Sequence, residues 1–445
     1  MLEDRSCLVS RDYPMTYERE GNWHMNYRLE NVEAQQSKRP LETDEDEEAL
    51  TRKVSKLSGD PIDTIDTELS IGGILMNSDQ SDSKQQTSDD SDSSSLISYI
   101  GRDNSLSCLI RCSRADYGSI ASLNQSFRSI IKSGELYKLR RQSGVIEHWV
   151  YFSCQLLEWE AFDPTRRRWM HLPRLNPNEC FLFGDKESLA VGTELLLFGR
   201  ELMSYVIYRY SLLTNTWTSG MSMNAPRCLF GSASLGEIAI LAGGCDSNGN
   251  ILDSAELYNS ETGTWTTLPS MKKPRKMCSG VFMEGKFYVI GGIGGTDSQL
   301  LTCGEEYNLE TGIWTEIPNM SPVRTGEARG VDTPATSEAP PLIAVVNNEL
   351  YAADHADMEV RKYDKNNKSW ITIGRLPERA DSMYGWGLAF RACGDRLIVI
   401  GGPRNSGEGF IEVNSWVPRE GPPQWDLLGR KRSSSFVYNC AVMGC

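Results

Sequence analysis

Histidine is scarce in this 445-residue chain: His24, His148, His171 and His355 are the only four. The twelve cysteines stand singly, with no C-x-x-C anywhere, and the closest pairs are Cys108/Cys112 and Cys440/Cys445. No zinc-type ligand set can therefore be assembled from sequence neighbours. Long apolar runs are missing too. None approaches the ~20 residues of a membrane span, and the charged opening Met1-Leu2-Glu3-Asp4-Arg5 does not resemble a secretory signal. Basic residues number 46 against 60 acidic ones, net −14, without a long basic stripe. That balance excludes a general nucleic-acid binder. Together these absences predict an intracellular protein with reduced thiols, no metal or organic cofactor, and neither membrane nor nucleic acid as a partner.

What is present suffices for a folded protein. The apolar set makes up 39% of the chain and glycine adds 39 residues, a share ordinary for globular domains. Charge is distributed in three blocks. Residues 1–95 hold 22 acidic and 10 basic side chains, residues 96–142 hold 3 and 8, and the rest is again acidic. The first block reads as a disordered tail. Glu42-Thr43-Asp44-Glu45-Asp46-Glu47-Glu48 repels itself, and residues 77–95 carry eight Ser and five Asp without Leu, Val, Ile or aromatics. Such a segment cannot offset the entropy of ordering. Ser beside Asp suits acidophilic phosphorylation. Lys38-Arg39 with Arg52-Lys53 and Lys56 fits a two-part nuclear import signal, and a plain solvated spacer fits as well.

Residues 96–142 change to a helical pattern. Leu106, Leu109 and Ile110 fall at i, i+3, i+4 behind Asp103 as a cap, and Phe127, Ile130 and Ile131 repeat the stripe behind Asn124. Ser113-Arg114-Ala115-Asp116 has capping-box spacing ahead of Ile120 and Leu123. Three short helices with one apolar face each are predicted. So small a unit cannot bury its own apolar surface, so part of it is expected to meet another protein.

Residues 143–445 repeat. Trp169, Trp217, Trp265, Trp314, Trp370 and Trp425 are separated by 48, 48, 49, 56 and 55 residues. Phe162, Tyr210, Tyr258, Tyr307 and Tyr363 stand seven residues before the first five, and Trp416 nine before the last. Apolar runs ending in Gly243-Gly244, Gly291-Gly292 and Gly401-Gly402 recur within the same period. A period near 50 with apolar strand, Gly-Gly, Tyr and Trp is the kelch pattern of a β-propeller. Six blades are counted, near 147–173, 186–221, 226–271, 274–320, 342–377 and 385–429. Blade one lacks a leading strand, and residues 434–442 are predicted to supply it and close the ring, which removes exposed edges. Blade two carries Phe198-Gly199 and blade five Ala353-Asp354 in place of the glycine pair, with an insertion, Glu327 to Pro341, ahead of blade five.

With these motifs in view, residues 96–445 resemble a plant F-box/kelch-repeat protein. The segment from Leu96 to Leu106 is similar to an F-box start, and Arg114 to Ile131 to its second and third helices; Ser98 stands where this family usually carries proline. The resemblance implies a mainly β fold, a six-bladed kelch β-propeller behind a small three-helix F-box and the disordered tail. It also implies a substrate receptor. The F-box docks on a Skp-type adaptor, and through it on a cullin–RING scaffold of an SCF-type ubiquitin ligase, while the propeller holds an unknown target protein. No residue of such a receptor performs chemistry; location in the nucleus or cytoplasm follows.

On this reading Leu96, Ile97, Leu106, Leu109 and Ile110 are the candidate adaptor contacts, with the internal core of the helical unit as the alternative. Arg111, Arg114, Arg128, Lys132, Lys138, Arg140 and Arg141 make this unit positive, either to complement an acidic adaptor or as a solvated face. Arg227, Arg275, Arg324 and Arg379 recur at 48, 49 and 55 residues, after successive blade-ending tryptophans. They are candidates for an acidic or phosphorylated target, against architecture repeated at equivalent sites, which the repetition favours. Two other classes stay open. One is a propeller scaffold without a ligase link. The other is a copper-oxidase-like propeller, for which three scattered histidines are a poor ligand supply.

Overall fold

The computed structural model describes residues 96–97, 99–155, 157–178, 181–201, 204–295, 299–322, 338–378, 380, 382, 384–402 and 409–445, with backbone alone at 182–187. The acidic tail, with its phosphorylation and import-signal readings, lies outside the described residues, as do most of the insertion before blade five, Ser98, Arg324 and Arg379.

Four helices open the described chain: α1 (Gly101–Leu109), α2 (Tyr117–Leu123), α3 (Gln125–Lys132) and α4 (Glu135–Gln142). Asn124 caps α3 as expected, its Oδ1 accepting from Phe127 N at 2.9 Å. Ser113 accepts from Ala115 N, but opens a 3-10 turn over Arg114–Asp116 that leads into α2. Asp103 lies inside the first turn of α1 rather than capping it. α4 is the helix missing from the three predicted. Its chain Glu-Leu-Tyr-Lys-Leu-Arg-Arg-Gln is dense in charge, yet Leu136, Tyr137 and Arg140 are buried.

Six four-stranded antiparallel sheets follow. The first blade contains β1 (His148–Gln155), β2 (Glu158–Asp163) and β3 (Arg168–His171); the second β4 (Phe181–Val191), β5 (Glu194–Glu201), β6 (Ser204–Ser211) and β7 (Thr216–Ser219). The third has β8 (Gly231–Leu235), β9 (Ile238–Ala242), β10 (Ala255–Asn259) and β11 (Thr264–Leu268). The fourth has β12 (Ser279–Met283), β13 (Lys286–Ile290), a side hairpin of β14 (Ile293–Gly294) and β15 (Gln299–Leu300), then β16 (Gly304–Asn308) and β17 (Ile313–Ile317). The fifth runs β18 (Ile343–Val346), β19 (Glu349–Asp354), β20 (Glu359–Asp364) and β21 (Ser369–Arg375). The sixth runs β22 (Ala389–Cys393), β23 (Arg396–Gly401), β24 (Gly409–Trp416) and β25 (Asp426–Ser433). The last strand, β26 (Asn439–Gly444), pairs with β1, Tyr151 opposite Ala441, and completes blade one. The closing strand thus begins at 439 rather than 434, because residues 434–438 are used to cross from the outer edge of blade six to the ring's inner edge.

The periodic aromatics are cross-strand partners. Residues seven apart face each other across the hairpin of the two outer strands: Phe162 with Trp169, Tyr210 with Trp217, Tyr258 with Trp265, Tyr307 with Trp314 and Tyr363 with Trp370. Their rings lie 4.6–5.5 Å apart, the separation at which aromatic pairs attract. In blade six a bulge and a longer turn bring Trp416 and Trp425 to 5.9 Å despite the nine-residue spacing. Four of the six indoles also tie their blade to the one before. The Nε1–H of Trp217, Trp265, Trp314 and Trp425 donates to the carbonyls of Pro173, Met221, Pro269 and Arg375 at 2.7–2.9 Å.

The glycine pair makes a second tie. Gly243 and Gly244 have φ of +70° and +93°, and a Cβ on Gly244 would stand 2.4 Å from the Cys228 carbonyl oxygen. Only glycine allows both the backbone and the approach. The turn lets Gly244 N–H donate to the Arg275 carbonyl of the next blade at 2.7 Å. Where the pair is missing in blade two, β5 and β6 simply run on as a long hairpin, Gly199 opposite Val206.

Apolar side chains gather in six clusters, one between each pair of neighbouring blades. Five belong to the propeller alone. The sixth, between blades one and two, continues into the helices, so that Leu109, Phe127 and Leu136 share a core with Trp149, Trp159 and Leu197. No described helix is long and apolar enough to cross a membrane.

Candidate functional site

The helices sit over the turns that join the third to the fourth strands of blades one to three, and over the turn between the first two strands of blade three. Arg166, in such a turn of blade one, donates to Ser113 Oγ. Lys138 of α4 reaches Glu261 at 2.8 Å, and Arg141 of α4 pairs with Glu237, both in turns of blade three. Two buried arginines make the junction specific. Arg114 stacks 4.2 Å over Trp149 and donates to Tyr151 Oη at 2.9 Å, Cys445 Sγ at 2.8 Å and the Glu147 carbonyl at 3.2 Å. Arg140 donates to the Ile110 carbonyl at 2.8 Å and to Tyr117 Oη at 3.2 Å, and pairs with Glu147 at 3.3 Å. The strand-closing end of the chain is thereby fastened to the helices: Cys445 and Met443 of the last strand both meet Arg114. Burial pushes the Cys445 thiol up, against the pull of these arginines. Burial, and then the Arg114 charge, hold the His148 imidazole below its usual range.

This junction corrects the expectation for the apolar residues of the helical unit. Leu96, Leu109 and Ile110 are buried in the shared core, and Ile97 and Leu106 are half-buried against it. Part of the surface too large for a small unit to cover meets the chain's own blades one and two. The apolar side chains that the unit leaves exposed are Tyr99, Ile100, Leu123 and Ile146. The basic residues divide likewise. Arg114, Arg140, Arg141 and Lys138 hold helices to propeller, while Arg111, Arg128 and Lys132 are exposed.

The two described members of the arginine series are interior. Arg227 and Arg275 are wholly buried. Arg227 pairs with Glu256 at 2.8 Å and donates to the carbonyls of Ser254 and Gly243 at 2.7 and 3.2 Å. Glu256 in turn accepts from the backbone N–H of Asn224 and Ala225 at 2.8 and 2.9 Å. Blade four repeats the device. Arg275 pairs with Glu305 at 2.7 Å, and Glu305 accepts from Lys272 N and Lys273 N. Each pair locks the loop entering a blade onto the third strand of that blade, so target contact by Arg227 and Arg275 is corrected to architecture. The glutamates were missed although the signal was available: each stands two residues before its tyrosine, with the same period. In blade five that position is Arg361, which pairs with Asp354, so the charges are exchanged. Asp354, Asp357 and Glu359 are the described residues whose ligand atoms lie close enough to hold a metal ion. The Arg361 guanidinium already pairs with all three.

The inner strands converge on a channel of about 280 Å³. Small residues allow the approach: a Cβ on Gly280 would stand 2.8 Å from the Ser232 backbone of the neighbouring blade. Ser188 Oγ and Asn439 Oδ1 line this channel, buried and without a hydrogen-bond partner. The described loops that enter blade three, and that join its second and third strands, open at the end of the propeller away from the helices.

The fold is thus a small helical unit joined through a shared core to a closed six-bladed propeller. Comparison with known proteins specifies it further. The Kelch motif matches residues 226–272 and 274–321, the two blades with the full Arg, Gly-Gly, Glu, Tyr and Trp set. The chain is 62% identical, over the whole of both chains, to the F-box/kelch-repeat protein SKIP11 of Arabidopsis thaliana. Two further F-box/kelch-repeat proteins of that plant, At1g26930 and At1g74510, are 58% and 55% identical, again over the whole of both chains. The chain belongs to the F-box/kelch-repeat proteins.

Proposed function

We propose that this chain is the substrate-recognition subunit of an SCF-type ubiquitin ligase. The helical unit docks on a Skp-type adaptor linked to a cullin–RING scaffold, and the propeller presents a target protein for ubiquitination. One observation carries this reading beyond the family name: helices α1–α4 occupy one end of the propeller at blades one to three, leaving the loops at the other end free. A shared core with buried arginines fixes the distance between the two ends. Tethering then raises the effective concentration of target lysines at the conjugating enzyme, and a fixed spacer preserves that gain better than a loose one. The chain performs no chemistry itself. We infer that adaptor contact falls on the exposed apolar residues Tyr99, Ile100 and Leu123 and the outer edge of Leu106, with Arg111, Arg128 and Lys132 as charged surroundings. The same reading puts the protein in the nucleus, the cytoplasm or both.

The test is capture of the full-length chain on a Skp-type adaptor. Wild type is expected to bind and Leu123→Asp combined with Tyr99→Asp to lose binding by at least tenfold, with unchanged melting. Failure of the wild type to bind would favour a scaffold without a ligase link.

A further inference from the structure

At the propeller end away from the helices, the loop entering blade three and the loop between its second and third strands bring two thiols together. Cys228 and Cys245 form an antiparallel bridge outside the sheets, exchanging both backbone hydrogen bonds at 3.0 and 2.8 Å. Their Sγ atoms lie 3.4 Å apart. Residues so paired have Cα atoms about 5.5 Å apart, within the roughly 4.4–6.8 Å that a disulfide spans. Closing the sulfurs to a bond of about 2.05 Å therefore needs side-chain rotation and a small adjustment of the two loops. The backbone on both sides is held. Arg227, beside Cys228, is locked to Glu256, and Gly244, beside Cys245, donates to the Arg275 carbonyl. Cys228 is half-buried and open to small reagents, Cys245 is buried, and Tyr205 Oη donates to Cys228 Sγ at 3.4 Å.

We propose that Cys228 and Cys245 are a modification site, a dithiol that a peroxide closes to a disulfide. The Cys228 thiolate attacks one oxygen of hydrogen peroxide; the O–O bond breaks, giving the sulfenic acid and hydroxide, which takes up the released proton as water. The Cys245 thiolate then attacks the sulfenic sulfur; the S–O bond breaks, the S–S bond forms, and a second water leaves. Two thiols and one peroxide yield one disulfide and two waters. The pair gives up two electrons and the peroxide oxygens accept them. Fixed backbones make the second step effectively unimolecular. The hydrogen bond shared with Cys245 and then burial push the Cys228 thiol up, against smaller pulls from Tyr205 and Arg200. Oxidation accordingly accelerates as pH rises, because the thiolate is the nucleophile. The bond would pin one open-face loop of blade three to its neighbour.

The experiment treats the full-length chain with hydrogen peroxide at pH 8, quenches with catalase, alkylates under denaturing conditions and maps peptides by mass spectrometry. The expected result is a linked peptide joining Cys228 to Cys245 and loss of two thiols per chain at the lowest effective peroxide dose. In Cys245→Ser, Cys228 should stop at a sulfenic acid trapped by dimedone; in Cys228→Ser, the Cys245 thiol should survive that dose. Serine matches cysteine in shape, and unchanged melting of both variants controls for folding. The proposal is overturned if both thiols persist at doses that oxidise other cysteines, if either joins a third cysteine, or if Cys245 oxidises equally in Cys228→Ser.

Discussion

Replacing Arg227 by methionine separates the two roles open to the recurring arginines. The guanidinium is wholly buried against Glu256 and two carbonyls. Removing it strands a buried carboxylate that still accepts two backbone N–H groups. Breaking a buried pair in this way costs about 3–5 kcal/mol. At roughly 2 °C per kcal/mol for a large domain, the melting point should fall by on the order of 6–10 °C. Adding Glu256→Gln should recover part of that loss, because the amide removes the stranded charge and its one oxygen still accepts from one of the two backbone N–H groups. Glu256→Leu alone should be at least as damaging, since it orphans both N–H groups and the guanidinium. Differential scanning calorimetry of the full-length proteins gives the three shifts. A melting point for Arg227→Met within a degree of wild type would refute the reasoning and return the arginine to the binding surface.

Other consequences follow from the same geometry. Gly244→Ala should lower stability by more than the ~1–2 kcal/mol of a left-handed alanine alone, because its Cβ would meet the Cys228 carbonyl; Gly236→Ala, at φ +60° in open space, measures the backbone part by itself. Arg114→Leu should raise hydrogen exchange across residues 101–142 at least tenfold while the strands of blades three to six stay protected. The folded His148 imidazole is held below its usual pKa of about 6.5, so the unfolded chain binds the extra proton first. Stability should therefore fall as pH drops below 6.5, by up to about 1.4 kcal/mol per pH unit, and His148→Gln should flatten that slope in urea titrations at pH 5.5 and 7.

The propeller was legible because its signals are local and repeated. A tyrosine and a tryptophan seven residues apart are opposite members of one hairpin, and glycine pairs end strands by their own backbone geometry. Family resemblance then carried the helical unit. What stayed hidden depends on partners distant in sequence. Arg114 meets Cys445 and Met443 more than 300 residues away, and no periodicity in residues 96–142 announces that Leu109 shares a core with blades one and two. α4 was lost because charge masks its stripe: Lys138 and Arg141 reach turns of blade three, and Arg140 is buried against Ile110, Tyr117 and Glu147. The arginine repeat was visible while the glutamate repeat that explains it was not weighed. Without Glu256 and Glu305, burial of Arg227 and Arg275 was one reading among two.

Hydrogen–deuterium exchange of the full-length chain with and without a Skp-type adaptor tests the two-ended account most directly. The account predicts new protection confined to residues 99–110 and 117–128, with the loops at 225–230 and 243–254 unchanged and still free for a target. Protection at those propeller loops, with none on the helices, would contradict it.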